Sequence, residues 1–196
     1  MGKVVFDTSM SLDGFMTAAN QTDEEPMGDD GLRLMDWVLG GDQRNSELLE
    51  GWVSGLGASI AGRRTYDTSV PWWGEDGPSG PARRPLFVVT HEAPPASPND
   101  EVYTFVTDGI ESALEQAQAA AGDKDVTVMG GANLGCQYIA AGLVDELQIH
   151  LAPVLFGSGT RMFDGLGEGH LALEPIETIE TPAAVHLRFR ITGRDD

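Results

Sequence analysis

VTVMGGANL, residues 126–134, decides the fold, because it holds an apolar strand, two glycines and the start of a helix in unbroken order. Its first four residues are apolar or β-branched, as in buried strands. The Gly130-Gly131 pair predicts a tight turn, and Ala132 to Ala141 predicts a helix. In open α/β sheets, ligands bind beyond the carboxyl ends of the strands, with phosphates on helix N-termini. The two glycines are explained equally by the close approach of a pyrophosphate and by a tight turn alone.

Two further apolar strands end in residues that suit an anion. Ala58 to Ala61 leads into Gly62-Arg63-Arg64-Thr65, and Leu86 to Val89 leads into Thr90-His91. A guanidinium can bind a phosphate through two hydrogen bonds, although a surface arginine pair is often only solvated. A hydroxyl and a ring N–H at the next strand end could hold the same anion. A ribose 2′-phosphate is the obvious candidate, which favours NADP over NAD.

The first part of the chain predicts a strand followed by helices. Lys3 to Phe6 predicts a buried strand, with a polar loop from there through Thr22. Between Gly31 and Gly57 the apolar spacing predicts two helices, interrupted by Gly40-Gly41.

The remaining segments predict one loop, one helix and two strands. Residues 71–81 are rich in glycine and proline and predict a surface loop that Trp72 and Trp73 pack down. Residues 108–122 predict a helix that Asp108 and Glu111 cap. Residues 147–151 and 185–191 alternate apolar and polar side chains, as strands of a mixed or antiparallel edge do.

Composition excludes several classes of protein. The 196 residues, 41% of them apolar, suit one domain spanning 1–196. The net charge of −19 opposes nucleic acid as a partner. The single cysteine allows no intrachain disulfide and fits a reducing cytoplasm, and the four histidines lack the spacing of metal ligands. No apolar run of membrane-spanning or signal-peptide type is present. P-loop, HExxH, Gly-x-Ser-x-Gly and Rossmann motifs are absent as well.

Several motifs follow one another in an order that resembles the dihydrofolate-reductase-like superfamily, especially the branch related to the riboflavin-biosynthesis reductase domain. They are SLDGF (11–15), GRRTY (62–66), FVVTH (87–91), VMGGA (128–132), GLVDEL (142–147), PVLFGSG (153–159) and FD (163–164). The resemblance covers nearly the whole chain, from about Val4 to Ile191. It implies a three-layer α/β/α fold with a central mixed, mostly parallel sheet.

The resemblance also implies a cofactor, NADPH, lying across the strand ends. By similarity, Gly62, Arg63 and Thr65 would hold cofactor phosphates with Arg64 close by, and Thr90 and His91 would lie near the 2′-phosphate. The pyrophosphate would be wrapped by Gly130, Gly131, Ala132, Asn133 and Leu134. Relatives of this branch are often homodimers, so we also expect a homodimer formed through edge strands.

Hydride transfer needs a proton source near the accepting atom, and a carboxylic acid is a natural one. Asp13 is the first candidate, because its loop should cover the nicotinamide, although an Asp before Gly14 is equally explained as a turn residue. Asp36 is the second, since dihydrofolate reductases place their substrate acid on the first helix.

The sequence therefore predicts an NADPH-dependent reductase of a small pyrimidine- or pteridine-like heterocycle, similar to 5-amino-6-(5-phosphoribosylamino)uracil reductase. Three alternatives remain open. These are dihydrofolate reductase activity itself, a non-catalytic nucleotide- or drug-binding module on the same fold, and a flavin-linked role for the same cleft.

Overall fold

An eight-stranded sheet forms the centre of the molecule, and a computed structural model describes it over residues 2–195. The strands are β1 (Val4–Ser11), β2 (Phe15–Thr17), β3 (Leu56–Gly62), β4 (Leu86–Val89), β5 (Tyr103–Val106), β6 (Asp125–Met129), β7 (Glu146–Ala152), β8 (Thr160–Arg161), β9 (His170–Glu180) and β10 (Val185–Asp195). The helices are α1 (Asp36–Leu39), α2 (Gln43–Gly55), α3 (Arg63–Trp73), α4 (Ile110–Ala121) and α5 (Ala132–Ala140). Short 3₁₀ turns occupy Gly31–Met35 and Gly80–Ala82.

The strand order of the sheet is β5-β4-β3-β6-β1-β7-β10-β9, with β2 and β8 forming a separate pair. From β5 to β7 all neighbouring strands pair in parallel, whereas β10 is antiparallel to both β7 and β9. The sheet is therefore mixed and mostly parallel, as the resemblance implied. No helix within residues 2–195 is long and apolar enough to cross a membrane.

Helices cover both faces of this sheet. On one face, α4 and α5 pack on an apolar core that includes Phe6, Val126 and Val128. A side chain on Gly135 of α5 would meet the Phe6 ring at 2.3 Å, so this glycine lets the helix approach β1 closely. On the other face, α3 packs on a smaller apolar cluster that includes Tyr66. The predicted three layers are confirmed.

Strand β1 and helix α3 both run into segments that the sequence predicts as loops. β1 continues to Ser11 instead of giving way to a loop after Phe6, because residues from Thr8 onward pair with β7. Helix α3 includes Pro71, Trp72 and Trp73, so the loop prediction was wrong there. Pro71 lies in the last turn and removes one N–H donor, yet the helix continues for two residues beyond it and the N–H of Gly74 still donates to the carbonyl of Val70. Trp72 is 86% exposed and does not pack down, whereas Trp73 packs partly against the Tyr66 cluster.

Other expectations about the strands and caps also need correction. Strands β5 and β9 were not predicted, β5 being short and β9 an edge strand with almost no buried side chain. Neither 147–151 nor 185–191 forms an edge, because β7 lies between β1 and β10, and β10 lies between β7 and β9. The predicted cap of α4 is absent, since Gly109, with φ of 99°, is the N-cap and makes no side-chain hydrogen bond.

Candidate functional site

The start of α3 meets the Gly130-Gly131 turn at the carboxyl ends of the parallel strands. The N–H of Gly131 donates to the hydroxyl of Thr65 at 3.3 Å. Gly130 has φ of +80°, and a Cβ there would lie 2.6 Å from the Thr65 side chain. Glycine is required on both counts. Gly62 differs, because a Cβ there would only touch Leu134 at 3.8 Å.

Arg63 and Thr90 converge on one backbone carbonyl. Nη1 of Arg63 donates to the carbonyl oxygen of Glu92 at 2.7 Å, and the hydroxyl of Thr90 donates to the same oxygen at 2.8 Å. Nε of Arg63 also pairs with the Asp67 carboxylate at 2.8 Å. The first turn of α3 is thereby joined to the loop that follows β4. The side chains of Arg64 and His91, the other basic candidates here, are exposed.

The first N–H group of helix α5 donates to a sulfur atom. The N–H of Ala132 donates to Sδ of Met16, on β2, at 2.9 Å. A thioether is a weak acceptor, so a phosphate oxygen would displace it readily. The neighbouring Asn133 is exposed and accepts a hydrogen bond from Gln137, while Leu134 is buried. The turn and the helix start therefore fit the pyrophosphate of a dinucleotide.

Asp13 is held by three donors. The hydroxyl of Ser11 donates to it at 2.6 Å, and the N–H groups of Gly157 and Phe156 do so at 2.7 and 3.2 Å. The Ser11 hydroxyl, and then the N–H of Gly157, lower the pKa of Asp13 to about 2. Since such a carboxyl is ionised at neutral pH, these contacts favour an anchor between two loops over a proton donor.

Asp36, the second candidate acid, belongs to a different element. It is the first residue of α1, its side chain is exposed, and its backbone carbonyl accepts the N–H of Gly40 at 2.8 Å. The next residue, Trp37, points inward and is buried. Within residues 2–195, no group of three or more His, Cys, Asp or Glu side chains is placed to hold a metal ion.

Sequence reasoning missed a buried polar cluster on the α2 face of the sheet. Nδ1 of His150 lies 2.8 Å from Nδ1 of His186, and Nε2 of His150 lies 3.3 Å from the Asp7 carboxylate. Gln148 also donates to Asp7, at 2.9 Å. The indoles of Trp37 and Trp52 pack on His150, with ring centroids 4.0 and 5.0 Å away. The polar positions that alternate along β7 were the available signal.

The hydrogen bonds of the cluster follow from the chemistry of the partners. A carboxylate only accepts, so Nε2 of His150 carries the proton shared with Asp7, and one of the two facing Nδ1 atoms donates to the other. Burial, and then the neighbouring His150, lower the pKa of His186 to about 4, so its ring is neutral at pH 7. The amide of Asn45 lies 3.3 Å from Nε2 of His186, and in the orientation described its Nδ2 is buried without a partner among residues 2–195. Turning this amide over would let Nδ2 donate to the ring.

The strand order and the helices on both faces define a dihydrofolate-reductase-like fold. The family model of the RibD C-terminal domain matches residues 2–187, so the chain belongs to that family. This confirms the resemblance found in the sequence.

Individual relatives are distant. The uncharacterized protein YyaP of Bacillus subtilis (strain 168) is 24% identical over 171 residues, which cover 82% of this chain and 80% of YyaP. A pyrimidine reductase-like protein from Corynebacterium diphtheriae superposes with a TM-score of 0.68 at 14% identity, covering 98% of this chain and 92% of that one. A diaminohydroxyphosphoribosylaminopyrimidine deaminase/5-amino-6-(5-phosphoribosylamino)uracil reductase from Thermotoga maritima gives a TM-score of 0.65 at 12% identity, covering 97% and 57%. At such identities the structural matches show the fold alone.

Proposed function

We propose that the protein is an NADPH-dependent reductase that transfers a hydride to a small pyrimidine- or pteridine-like heterocycle. The observation that carries this proposal is the meeting of Thr65 with the Gly130-Gly131 turn, next to the thioether-bound N–H of Ala132. Backbone N–H groups at a helix start suit a pyrophosphate, and the N–H groups of Gly131 and Ala132 are held here only by a hydroxyl at 3.3 Å and a thioether, which a phosphate oxygen can replace. The family membership and the reductases among the structural neighbours agree with this reading.

In this proposal, the chain's own residues bind and orient. Gly62, Arg63, Arg64 and Thr65 hold phosphate at the start of α3, and Thr90 and His91 take the 2′-phosphate on the adjoining loop. The bound nicotinamide supplies the hydride. Asp13, as an ionised anchor, fixes the first loop to residues 156–157, where that loop covers the reacting rings. Asp13 then acts as a positioning residue, and a different residue binds the substrate.

The test is a fluorescence titration of the purified protein with NADPH and, separately, NADH. We expect NADPH to bind more tightly, and the double variant Arg63→Ala, Arg64→Ala to weaken NADPH binding by about tenfold or more, because charge-assisted hydrogen bonds contribute about 1.5–3 kcal/mol each.

The matched control is Arg83→Ala with Arg190→Ala. It removes the same charge from two exposed ion pairs, with Asp76 and Glu174, away from these strand ends. If both double variants weaken NADPH binding equally, the loss is explained by net charge and not by contacts at the start of α3. If neither nucleotide binds, the proposed function is wrong.

We further propose that the protein forms a homodimer through an edge strand. The edge strand β9 leaves Leu173 and Ile176 42% and 40% exposed, and apolar side chains on a free edge favour pairing with a second copy. Sedimentation velocity should give twice the mass of one chain. A monomer at micromolar concentration would contradict this proposal.

A further inference from the structure

The thioether of Met16 occupies an N–H group of the proposed cofactor site. Its Sδ accepts the N–H of Ala132, the first residue of α5, at 2.9 Å. The first N–H groups of a helix have no partner within the helix, and a phosphate is an acceptor that suits them. Under the proposed function, Met16 and the pyrophosphate therefore compete for the same N–H group.

Met16 is presented to α5 by a strand that is itself held in place. It is the extra residue of a bulge in the β2–β8 pair, because Phe15 and Thr17 pair with two consecutive residues of β8. The N–H of Thr160 also donates to the hydroxyl of Thr17 at 3.2 Å. A bulge re-aims a side chain, and here the side chain reaches the start of α5. The contact is thus set by strand pairing on both sides of Met16.

The side chain of Met16 is half-buried, so part of it faces solvent. Like Ala132, it packs at the margin of the apolar core under α4 and α5. Met162, by contrast, is completely buried. A small dissolved oxidant can reach a methionine at such a margin, and the exposed part of the side chain makes Met16 a candidate for oxidation.

Hydrogen peroxide, a two-electron oxidant, converts a thioether to a sulfoxide. A lone pair of the Met16 sulfur attacks one peroxide oxygen, the S–O bond forms as the O–O bond breaks, and the second oxygen leaves as water after proton transfer. Sulfur is oxidised and the peroxide is reduced. Methionine sulfoxide reductases reverse the change, one enzyme for each of the two sulfoxide epimers. The modification can therefore act as a reversible switch.

The sulfoxide differs from the thioether as a hydrogen-bond acceptor. A thioether sulfur is a weak acceptor, which a phosphate oxygen can replace. The S–O bond of a sulfoxide is strongly polar, and the partial negative charge on its oxygen would retain the N–H of Ala132 and repel a phosphate oxygen. Oxidation of Met16 thereby turns a weak competitor of the cofactor into a strong one.

We propose that Met16 is an oxidation site that controls cofactor binding. In its thioether form Met16 yields the N–H of Ala132 to the pyrophosphate, and in its sulfoxide form it keeps that N–H and lowers the affinity for the cofactor. This inference rests on the proposed reductase function, because it requires the dinucleotide to bind at the start of α5. It adds regulation of that same site by peroxide.

The experiment is a fluorescence titration with NADPH before and after treatment of the protein with hydrogen peroxide, which is removed before the nucleotide is added. Peptide mass spectrometry measures the fraction of Met16 that has become sulfoxide. We expect oxidation to weaken NADPH binding about 3- to 10-fold, because one hydrogen bond between neutral groups decides the competition. Treatment with both classes of methionine sulfoxide reductase should restore the original affinity.

Three variants isolate Met16 from the other methionines. Met16→Leu keeps an apolar side chain of similar volume without a sulfur, so its NADPH affinity should not respond to peroxide. Met16→Gln places an amide oxygen on the same side chain and should weaken NADPH binding without any oxidant. Met10→Leu is the matched control, because Met10 is also half-buried and packs on the same core. This control should lose affinity on oxidation as wild type does.

The outcomes separate this inference from the proposed function. Failure of the untreated wild-type protein to bind NADPH would defeat the reductase proposal. If NADPH binds, the inference is wrong when its affinity is unchanged although Met16 has become sulfoxide, or when Met16→Leu loses affinity on oxidation as wild type does. It is also wrong if Met16 stays unoxidised while the half-buried Met27 and Met35 react.

Discussion

The two faces of the central sheet differ where α5 covers one and α2 covers the other. On the α4 and α5 face, Phe6 and Val128 are fully buried in an apolar core. On the α2 face lie Asp7, which follows Phe6 on β1, and Gln148 and His150, which lie on the adjacent strand β7. Because successive residues of a strand point to opposite faces, one strand can serve both. The first face is packed by apolar contacts, and the second is joined by hydrogen bonds among Asp7, Gln148 and the two histidines.

The largest expected effect tests the apolar face. Phe6→Ala should lower the free energy of unfolding by about 3–5 kcal/mol, because it removes a buried aromatic ring and leaves a cavity under α5. Val5→Ala, on the other face and beside an existing cavity, should cost less. Denaturant unfolding followed by circular dichroism measures both. Equal losses for the two variants would contradict the division between the faces.

A smaller effect tests the polar face by pH. The folded pKa of His186, about 4, lies below its ordinary value of 6.5. Between these pH values the unfolded chain binds a proton that the folded chain does not. The contribution of His186 to the free energy of unfolding is therefore fully present above pH 6.5 and is lost as the pH drops towards 4. The loss should be on the order of 3 kcal/mol at most.

His186→Gln should remove this part of the pH dependence, as measured by denaturant midpoints at pH 7, 5.5 and 4.5. Carboxylates also titrate at the acid end, so the comparison is the difference between the two proteins. Identical slopes for wild type and variant would show that His186 does not stay neutral in the fold.

The sequence predicted the parts of the structure whose pattern is local. β3, β4 and β6 are short apolar runs, and the strand-glycine-helix order of residues 126–134 placed the turn correctly. α4 followed from its apolar spacing. These elements depend on neighbours within a few residues, which a single sequence displays.

The polar cluster could not be predicted in that way. Asp7, His150 and His186 come from β1, β7 and β10, which meet only through sheet pairing. In the sequence their alternation with apolar residues resembles a solvent-facing strand. The role of Asp13 as an anchor could not be predicted either, because its partners at residues 156–157 are distant in the sequence and meet it only in the fold.

The hydrogen bond between the two histidines has an evolutionary consequence. Replacing one ring alone leaves the other with a buried nitrogen that has lost its partner, which carries a desolvation penalty. Replacing both with apolar residues of similar shape removes that penalty. Across relatives of this chain, positions 150 and 186 should therefore change together, and a lineage that loses one histidine should soon lose the other.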